Sequence, residues 1–473
     1  MQSKSHAFTQ RRWLILATVL TGSLVGTLSN SMVNLAMPSM VEHYNVDLSM
    51  GVWVVTIYVL LFSTLMPFFG KLGDMFGYKR LYLFSMIGLV LASVACALAP
   101  SIGWLIFFRA LAGIFNAPTL PSIMAIIAEV FPAEERGGAL GFWATVNGAG
   151  HGFGPVITGV LLASFSWQSV FWFNALLTLA GVGMIALFVP ADFKRTSRHF
   201  DLFGAFTLTT AMIMVMFNLS QGLQNVYSRQ VIGTLWLVCG SLFAVFLVSQ
   251  TRIKQPFVDL KLFRNLGYAV VTFVSSTQLF CLFGMQLLLP LFLLKVQGRP
   301  PENAGLLIAP LAISLAVISP LAGRLSDKVG SRLTCLLGMG LVALGGVALS
   351  FWTAQTTTLI IMLVLTLIGI GMGMTQSPTA NAVTLVIGKE QLGVALGIFN
   401  MLRFVSGSLG ATIFGAILSR GGAVDGNVAA FRLDFYIFAA VAAAAALLAL
   451  KMPAAPKRVV AQRMGAKASM AGD

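Results

Sequence analysis

Long unbroken apolar runs recur from one end of the chain to the other, as in LLFSTLMPFF (60–69) and LFSMIGLVLASVACALA (83–99). A helix of about 20 such residues spans the roughly 30 Å hydrocarbon layer of a bilayer. It also pairs its own backbone groups, which lipid cannot do for it. A membrane barrel would show alternating apolar and polar residues, and these runs do not alternate. Polar and Pro/Gly-rich breaks divide the chain into fourteen predicted spans. The first six are 13–36, 51–70, 81–99, 103–129, 138–163 and 168–190. Two more follow at 203–221 and 230–249, then six at 267–294, 303–324, 333–352, 357–383, 391–419 and 432–451.

An even number of spans returns both termini to one side. Most of the 30 basic residues fall on that side, in clusters such as Lys79–Arg80, Lys194–Arg195 and Lys328–Arg332. The opposite side keeps only Arg229, Lys295, Arg299, Arg420 and Arg432, and Arg109 and Arg403 fall within spans. The excess of loop Lys and Arg marks the cytoplasmic face, so both termini are expected in the cytoplasm and the protein in the inner membrane. Lys4, Arg11 and Arg12 precede the first run as in a signal peptide. That run, Trp13 to Ala36, is longer than a signal core and lacks a clear cleavage site, so it is expected to stay as the first span.

Composition sharpens this picture. The 473 residues are 58% hydrophobic and only 10% charged, with a mean hydropathy of +0.89, whereas soluble domains carry about a quarter charged residues. The net charge of +15 is accounted for by the cytoplasmic loops and is not a nucleic-acid footprint. Cys96, Cys239, Cys281 and Cys335 sit in apolar runs without metal-type spacing and read as small packing residues. No phosphate loop and no Cys/His cluster is visible, so no cofactor, nucleotide or metal is expected.

Two stretches occur twice. GKLGDMFGYKR (70–80) and GRLSDKVGSR (323–332) share G-[KR]-L-x-D-x-x-G, and EERGGALG (134–141) matches EQLGVALG (390–397). The two matches have nearly one offset, eight spans, where a six-helix bundle would give six. The expected fold is therefore an all-α membrane protein of two homologous six-helix bundles, 1–190 and 267–451. An inserted transmembrane hairpin with its linkers, 191–266, lies between them, and a basic cytoplasmic tail, 452–473, follows.

Several residues stand out chemically. Gly70, Gly73 and Gly77 permit a tight turn, and Asp74 falls beside Lys71, Lys79 and Arg80, with Asp327 in the second copy. An acid there forms an ion-pair latch or caps another helix, unless the segment is an ordinary basic loop. The fifth span carries Gly141, Gly150, Gly154, Pro155 and Gly159 on one helix, a face for close packing with a proline kink. Arg109 is about two turns deep in the fourth span, and Arg403 lies in the thirteenth; charge in lipid is costly and marks function by default. His151 is the only histidine deep within a span and titrates near neutral pH when unperturbed.

These segments resemble the fourteen-helix drug:proton antiporters of the major facilitator superfamily along essentially the whole chain. Residues 70–80 are similar to motif A, Arg109–Ala117 to motif B, and Gly141–Gly159 to the antiporter motif C. VWVVTIYVL (52–60), SWQSVFWFN (166–174), FDLFGAFTL (200–208) and PFVDLKLFRN (256–265) resemble further family segments. The resemblance implies proton influx driving export of amphipathic, often cationic, compounds by alternating access, as for multidrug efflux. It makes Arg109, with Arg403, Glu129 and His151, the candidates for proton handling. Asp74, with Gly70, Gly77, Lys79, Arg80 and Asp327, would form the gating segments, and Gly154 and Pro155 the hinge. Ser29, Asn30, Asn34, Asn116 and Asn147 are candidates for the substrate cavity.

One departure bears on cargo. The family segment resembling L-D-x-T-I-V-N-x-A-L-P reads LSNSMVNLAMP (28–38), so Ser29 replaces the aspartate, and none of the fifteen acids is expected at mid-depth in a span. Neutral or anionic compounds, touched by aromatic and Met side chains, then become candidates beside cationic drugs. A specific metabolite or a siderophore is an alternative cargo. The partners expected are the small-molecule substrate, protons and lipid; in a Gram-negative cell, a periplasmic adaptor and an outer-membrane channel join them. A sensor would need a soluble effector domain and a membrane enzyme clustered surface ligands, and neither is visible.

Overall fold

The computed structural model describes residues 2–190, 200–222, 229–253, 256–299, 301–388, 391–420 and 428–453. The linker residues Lys194, Arg195 and Arg198, together with Lys254, Lys389 and most of the basic tail, lie outside them. Among the described residues the chain is helical, with no strand. The helices are α1 (Gln2–Tyr44), α2 (Leu48–Thr64), α3 (Met66–Phe76), α4 (Tyr78–Ala97), α5 (Ile102–Asn116), α6 (Thr119–Val130), α7 (Arg136–Ser164) and α8 (Gln168–Phe188). Next come α9 (Leu202–Gly222), α10 (Arg229–Arg252), α11 (Lys261–Arg264) and α12 (Leu266–Leu291), which runs into a π-helical turn, Phe292–Val296. The last are α13 (Pro301–Val329), α14 (Ser331–Ser350), α15 (Thr358–Val386), α16 (Leu392–Arg420) and α17 (Val428–Ala449).

Twelve helical stretches among the described residues are long and apolar enough to cross a membrane, α5 and α6 counting together as one. The pair α2 and α3 makes a thirteenth, bent by 47°. The expected span over 51–70 is present as this bent pair. The chain turns at Leu65, and Pro67 in the first turn of α3 has no N–H to continue the ladder of α2. The segments over 70–80 and 323–332 are also not the loops expected. α3 runs through Asp74 to Phe76 and α13 runs through Asp327 to Val329, each followed at once by another helix. The reversals are made by Gly77 at φ 97° and Gly330 at φ 91°, which a side chain would oppose.

By contacts the chain divides into two compact units: 1–130, 146–262 and 388–405 form the first; 131–145, 263–387 and 406–473 form the second. In the first, α1 packs on α2 and α8, α2 on α5, and α4 on α5 and α8. Leu28, Met32, Val54, Leu105 and Phe171 are buried together at its centre. At one end Tyr44 donates to the Ala99 carbonyl at 2.7 Å while its ring meets His43 and Trp167, which explains the SWQSVFWFN segment. The helices α9 and α10 pack on each other, and α9 on α2. Asp201 fastens them: it accepts from the Gly204 amide, the Gln250 side chain and the Phe257 amide at 2.8, 2.8 and 3.2 Å.

In the second unit α13 packs on α15, and α14 on α15 and α17. One end is filled by the rings of Phe292, Trp352, Phe431 and Phe435. α17 begins at Val428, earlier than expected, which carries Asp434 well inside the helix and fully out of contact with solvent.

Candidate functional site

Arg109 occupies a buried cage in the first unit. Gly113, one turn along α5, is where a Cβ would strike the backbone of Tyr58, so its absence lets α5 lie directly on α2. The Arg109 side chain then reaches α2. Its Nε donates to the Val54 carbonyl at 2.9 Å, and one terminal nitrogen donates to Ser29 Oγ of α1 at 3.4 Å. The guanidinium carbon lies 4.1 Å from the centre of the Tyr58 ring, a cation–π contact. Asn116, one turn beyond Gly113, donates to the Tyr58 hydroxyl at 2.8 Å and holds the ring in place. The second terminal nitrogen of Arg109 has no partner, although Arg109 is 1% exposed. No carboxylate hydrogen-bonds this cation among the described residues; Ser29 stands where a counter-ion is expected from the resemblance.

A ladder of rings leads away from the cage. Tyr58 stacks parallel to Phe62 at 6.0 Å, and Phe62 meets Phe404 edge-on at 5.3 Å. The neighbouring Arg403 is buried, donates to Asn400 Oδ1 at 3.1 Å, lies over Phe399, and leaves its Nε unpartnered. Two buried guanidiniums thus belong to one unit, joined by aromatic surface. Tyr58, Phe62 and Asn400 were not among the residues singled out by sequence, although Tyr58 lies inside VWVVTIYVL.

The two repeated sequence matches prove to be the two halves of one device, built twice. In the first unit the Asp74 carboxylate accepts from the amides of Gly393 and Val394 at 2.9 and 3.1 Å, and from the Tyr78 hydroxyl. In the second unit Asp327 accepts from the amides of Gly137 and Gly138 at 2.9 and 3.0 Å, and from Asn381 at 2.9 Å. Each acid therefore covers the unpaired N–H groups and the positive end of a helix dipole. The glycines make room. A Cβ on Gly70 would meet the Gly393 carbonyl, and one on Gly323 the Gly137 carbonyl. Of the two sequence expectations for Asp74, helix capping is what the geometry contains. Lys79 instead donates to the Val189 and Ala186 carbonyls at the end of α8. Arg80 is exposed.

The glycines of α7 serve different neighbours. Gly141 lies where a Cβ would enter the backbone of Ser319 and Pro320, while Gly150 and Gly154 face Thr27 and Ser31, themselves one turn apart on α1. A Cβ on Gly159 would meet nothing within 4 Å among the described residues. α7 is one helix through Pro155, whose side chain, with that of His151, lies outside the described residues. Asn147 donates to Ser23 Oγ at 2.9 Å. Asn30 has a buried, unpartnered Oδ1. Asn34 is exposed and bonds the Asn30 carbonyl, and Glu129 is exposed on the last turn of α6, apart from the Arg109 cage.

In the second unit a polar seam lies where α12 packs on α15. Thr379 bonds Ser275 at 3.1 Å, while Ser276 and both side-chain atoms of Gln278 are buried without partners among the described residues. It contains no charge, and the sequence offered no periodic signal for it. A groove of about 890 Å³ lined by Leu337, Leu341, Leu344 and Ala443 of α14 and α17 has almost no polar group to orient a solute. Among the described residues no group of three metal-ligating side chains occurs.

With twelve or more helical stretches apolar enough to cross a membrane among its described residues, the chain is a polytopic membrane protein. The chain belongs to the Major Facilitator Superfamily, whose family profile matches residues 19–411. It is similar to multidrug resistance protein Stp of Mycobacterium tuberculosis, 29% identical over 82% of this chain and 72% of that one. It is also similar to methyl viologen resistance protein SmvA of Salmonella typhimurium, 29% identical over 87% of this chain and 83% of the other. Riboflavin transporter RibZ of Clostridioides difficile is 26% identical over 87% of this chain and 89% of its own. The crystal structure of the human organic anion transporter MFSD10 shares the fold, with a TM-score of 0.71 at 14% identity, covering 93% of this chain and 99% of the other.

Proposed function

We propose that this protein exports small amphipathic molecules across the inner membrane in exchange for protons, with both termini in the cytoplasm. Counting α7, whose 29 residues are ample for a crossing, the chain passes the bilayer fourteen times, as two six-helix halves with α9 and α10 inserted. The observation that carries the reading is the duplicated cap. Each consists of a few charge-assisted hydrogen bonds, about 1.5–3 kcal/mol apiece, strong enough to hold one arrangement and weak enough to break in a cycle of alternating access. Arg109 supplies a fixed buried positive charge, and its unpartnered nitrogen is the atom that cargo or water would meet. Relatives named for multidrug and methyl viologen resistance support export of foreign compounds.

Cargo charge is a second question with its own observation. Among the described residues Arg109 and Arg403 are buried without a carboxylate partner, so the first unit favours neutral or anionic molecules over cations. The riboflavin transporter among the relatives is in keeping with this alternative, a specific metabolite or an anionic compound.

The test is reconstitution into proteoliposomes with an imposed pH gradient, using methyl viologen, a permanent dication, and riboflavin, which is uncharged, as probes. The expected result is gradient-driven movement of riboflavin in preference to methyl viologen, abolished by Arg109→Ala and slowed by Asp74→Asn. Unaltered transport in both variants would overturn the roles given to these residues. Preference for the dication would overturn the cargo assignment.

A further inference from the structure

Asp434 takes no part in the machinery described above, yet among the described residues it is the acid with the least contact with solvent. It is 0% exposed, and neither carboxylate oxygen accepts a hydrogen bond. It stands on the second turn of α17, past the free N–H groups at the start of that helix, so it caps nothing. Its neighbours one turn away on the same helix, Ala430, Phe431 and Phe438, are buried and apolar. Phe431 packs on Phe292, and Phe438 covers Gly346 of α14.

The charged and titratable groups nearby are committed or remote. On α17 itself Arg432 donates its Nε to the Ser350 carbonyl at 3.1 Å, and Tyr436 is exposed. α14 carries Arg332 at its opposite end and Cys335 one turn on. α12 carries Tyr268 at its far end and Cys281 well inward of Phe292, and Lys295 on the π-helical turn is exposed. An ionised carboxylate enclosed without a donor or a cation is destabilised by several kcal/mol, whereas the neutral acid escapes most of that penalty. A metal ion would need several oxygen ligands in addition, and no group of three ligating side chains lies here among the described residues. A proton is the one cation that a single carboxylate can satisfy.

We infer that Asp434 is a proton-binding site of the second unit, holding its proton while its buried apolar neighbours Ala430, Phe431 and Phe438 keep it from water and exchanging it when that end of α17 meets water. The site lies at the end of the unit opposite Asp327, because Arg432 reaches the last residue of α14 while Asp327 adjoins the first. A role in coupling rests on the export reading above; the binding of the proton does not.

Infrared difference spectra of the full chain in lipid nanodiscs, titrated from acid to alkaline pH, read the carbonyl band of a protonated carboxylic acid. The expected result is a band that persists at neutral pH in the wild type, is lost in Asp434→Asn, and returns at a shifted position in Asp434→Glu. Superimposable spectra of wild type and Asp434→Asn would overturn the proposal. In proteoliposomes, Asp434→Asn is expected to keep riboflavin exchange without a gradient and to lose gradient-driven accumulation; accumulation at the wild-type level would overturn the coupling role. A wild type that moves neither riboflavin nor methyl viologen but shows the acid band defeats the export reading and leaves the proton site standing.

Discussion

Arg109 illustrates how a single side chain is read first by its cost and only later by its partners. Its position in an apolar run marked it, and Ser29 marked the missing counter-ion; what holds it, the Val54 carbonyl and the face of Tyr58, comes from a helix fifty residues earlier. Lysine keeps the charge but has no fork to span Val54 and Ser29 together. Arg109→Lys is therefore expected to slow riboflavin transport by about tenfold or more, the effect of losing one charge-assisted bond of about 1.5–3 kcal/mol, measured in proteoliposomes at matched protein density. Ser29→Asp places a carboxylate within reach of the nitrogen now 3.4 Å from Ser29 Oγ. The pair it forms is expected to shift preference from riboflavin toward methyl viologen in competition assays. Unchanged preference would separate cargo charge from this cage. Asp434 shows the opposite case: the sequence placed it near the end of a span, and only the tertiary packing shows it to be buried.

For the helices, glycine decides how near two backbones come, and the structure separates glycines that matter from those that do not. A methyl group on Gly70 meets the Gly393 backbone, which cannot rotate away as a side chain does. Gly70→Ala and Gly323→Ala are expected to lower stability by about 1–3 kcal/mol, read as a lower thermal-aggregation midpoint in detergent. Gly159→Ala adds a methyl group to open space and is expected to leave that midpoint unchanged or raise it slightly, since alanine is favoured over glycine in a helix by about 1 kcal/mol. On sequence these glycines looked alike, because spacing reveals a face but not what lies against it. Span positions were largely legible, as α9 and α10 show. The bend at Leu65 and the helical course through Asp74 and Asp327 were not, because a polar stretch at a helix end reads as a loop until its amides are seen to be paired.

At the level of the whole chain the repeat has a physical meaning that the two matches separately did not convey. The acid of one repeated stretch caps the helix opened by the other, in both units. Each cap is local, so each is expected to fail alone. Asp74→Asn should raise amide hydrogen exchange at Gly393 and Val394 by about ten- to a hundredfold, the equivalent of 1.5–3 kcal/mol, with Gly137 and Gly138 unaltered. Asp327→Asn should do the reverse, followed by exchange mass spectrometry in nanodiscs. Exchange that rises at both helix starts in either variant would contradict the independence of the caps. Membrane residence, helical class, the duplication and the family were all determined by the amino-acid sequence alone, because apolar length and repeated spacing are properties of neighbours along a chain. Which donor meets which acceptor was decided only by tertiary structure: the cage of Arg109, the crossing of Asp74 to Gly393 and the enclosure of Asp434 join residues that chain order keeps far apart, and burial is a property of what surrounds a group in space.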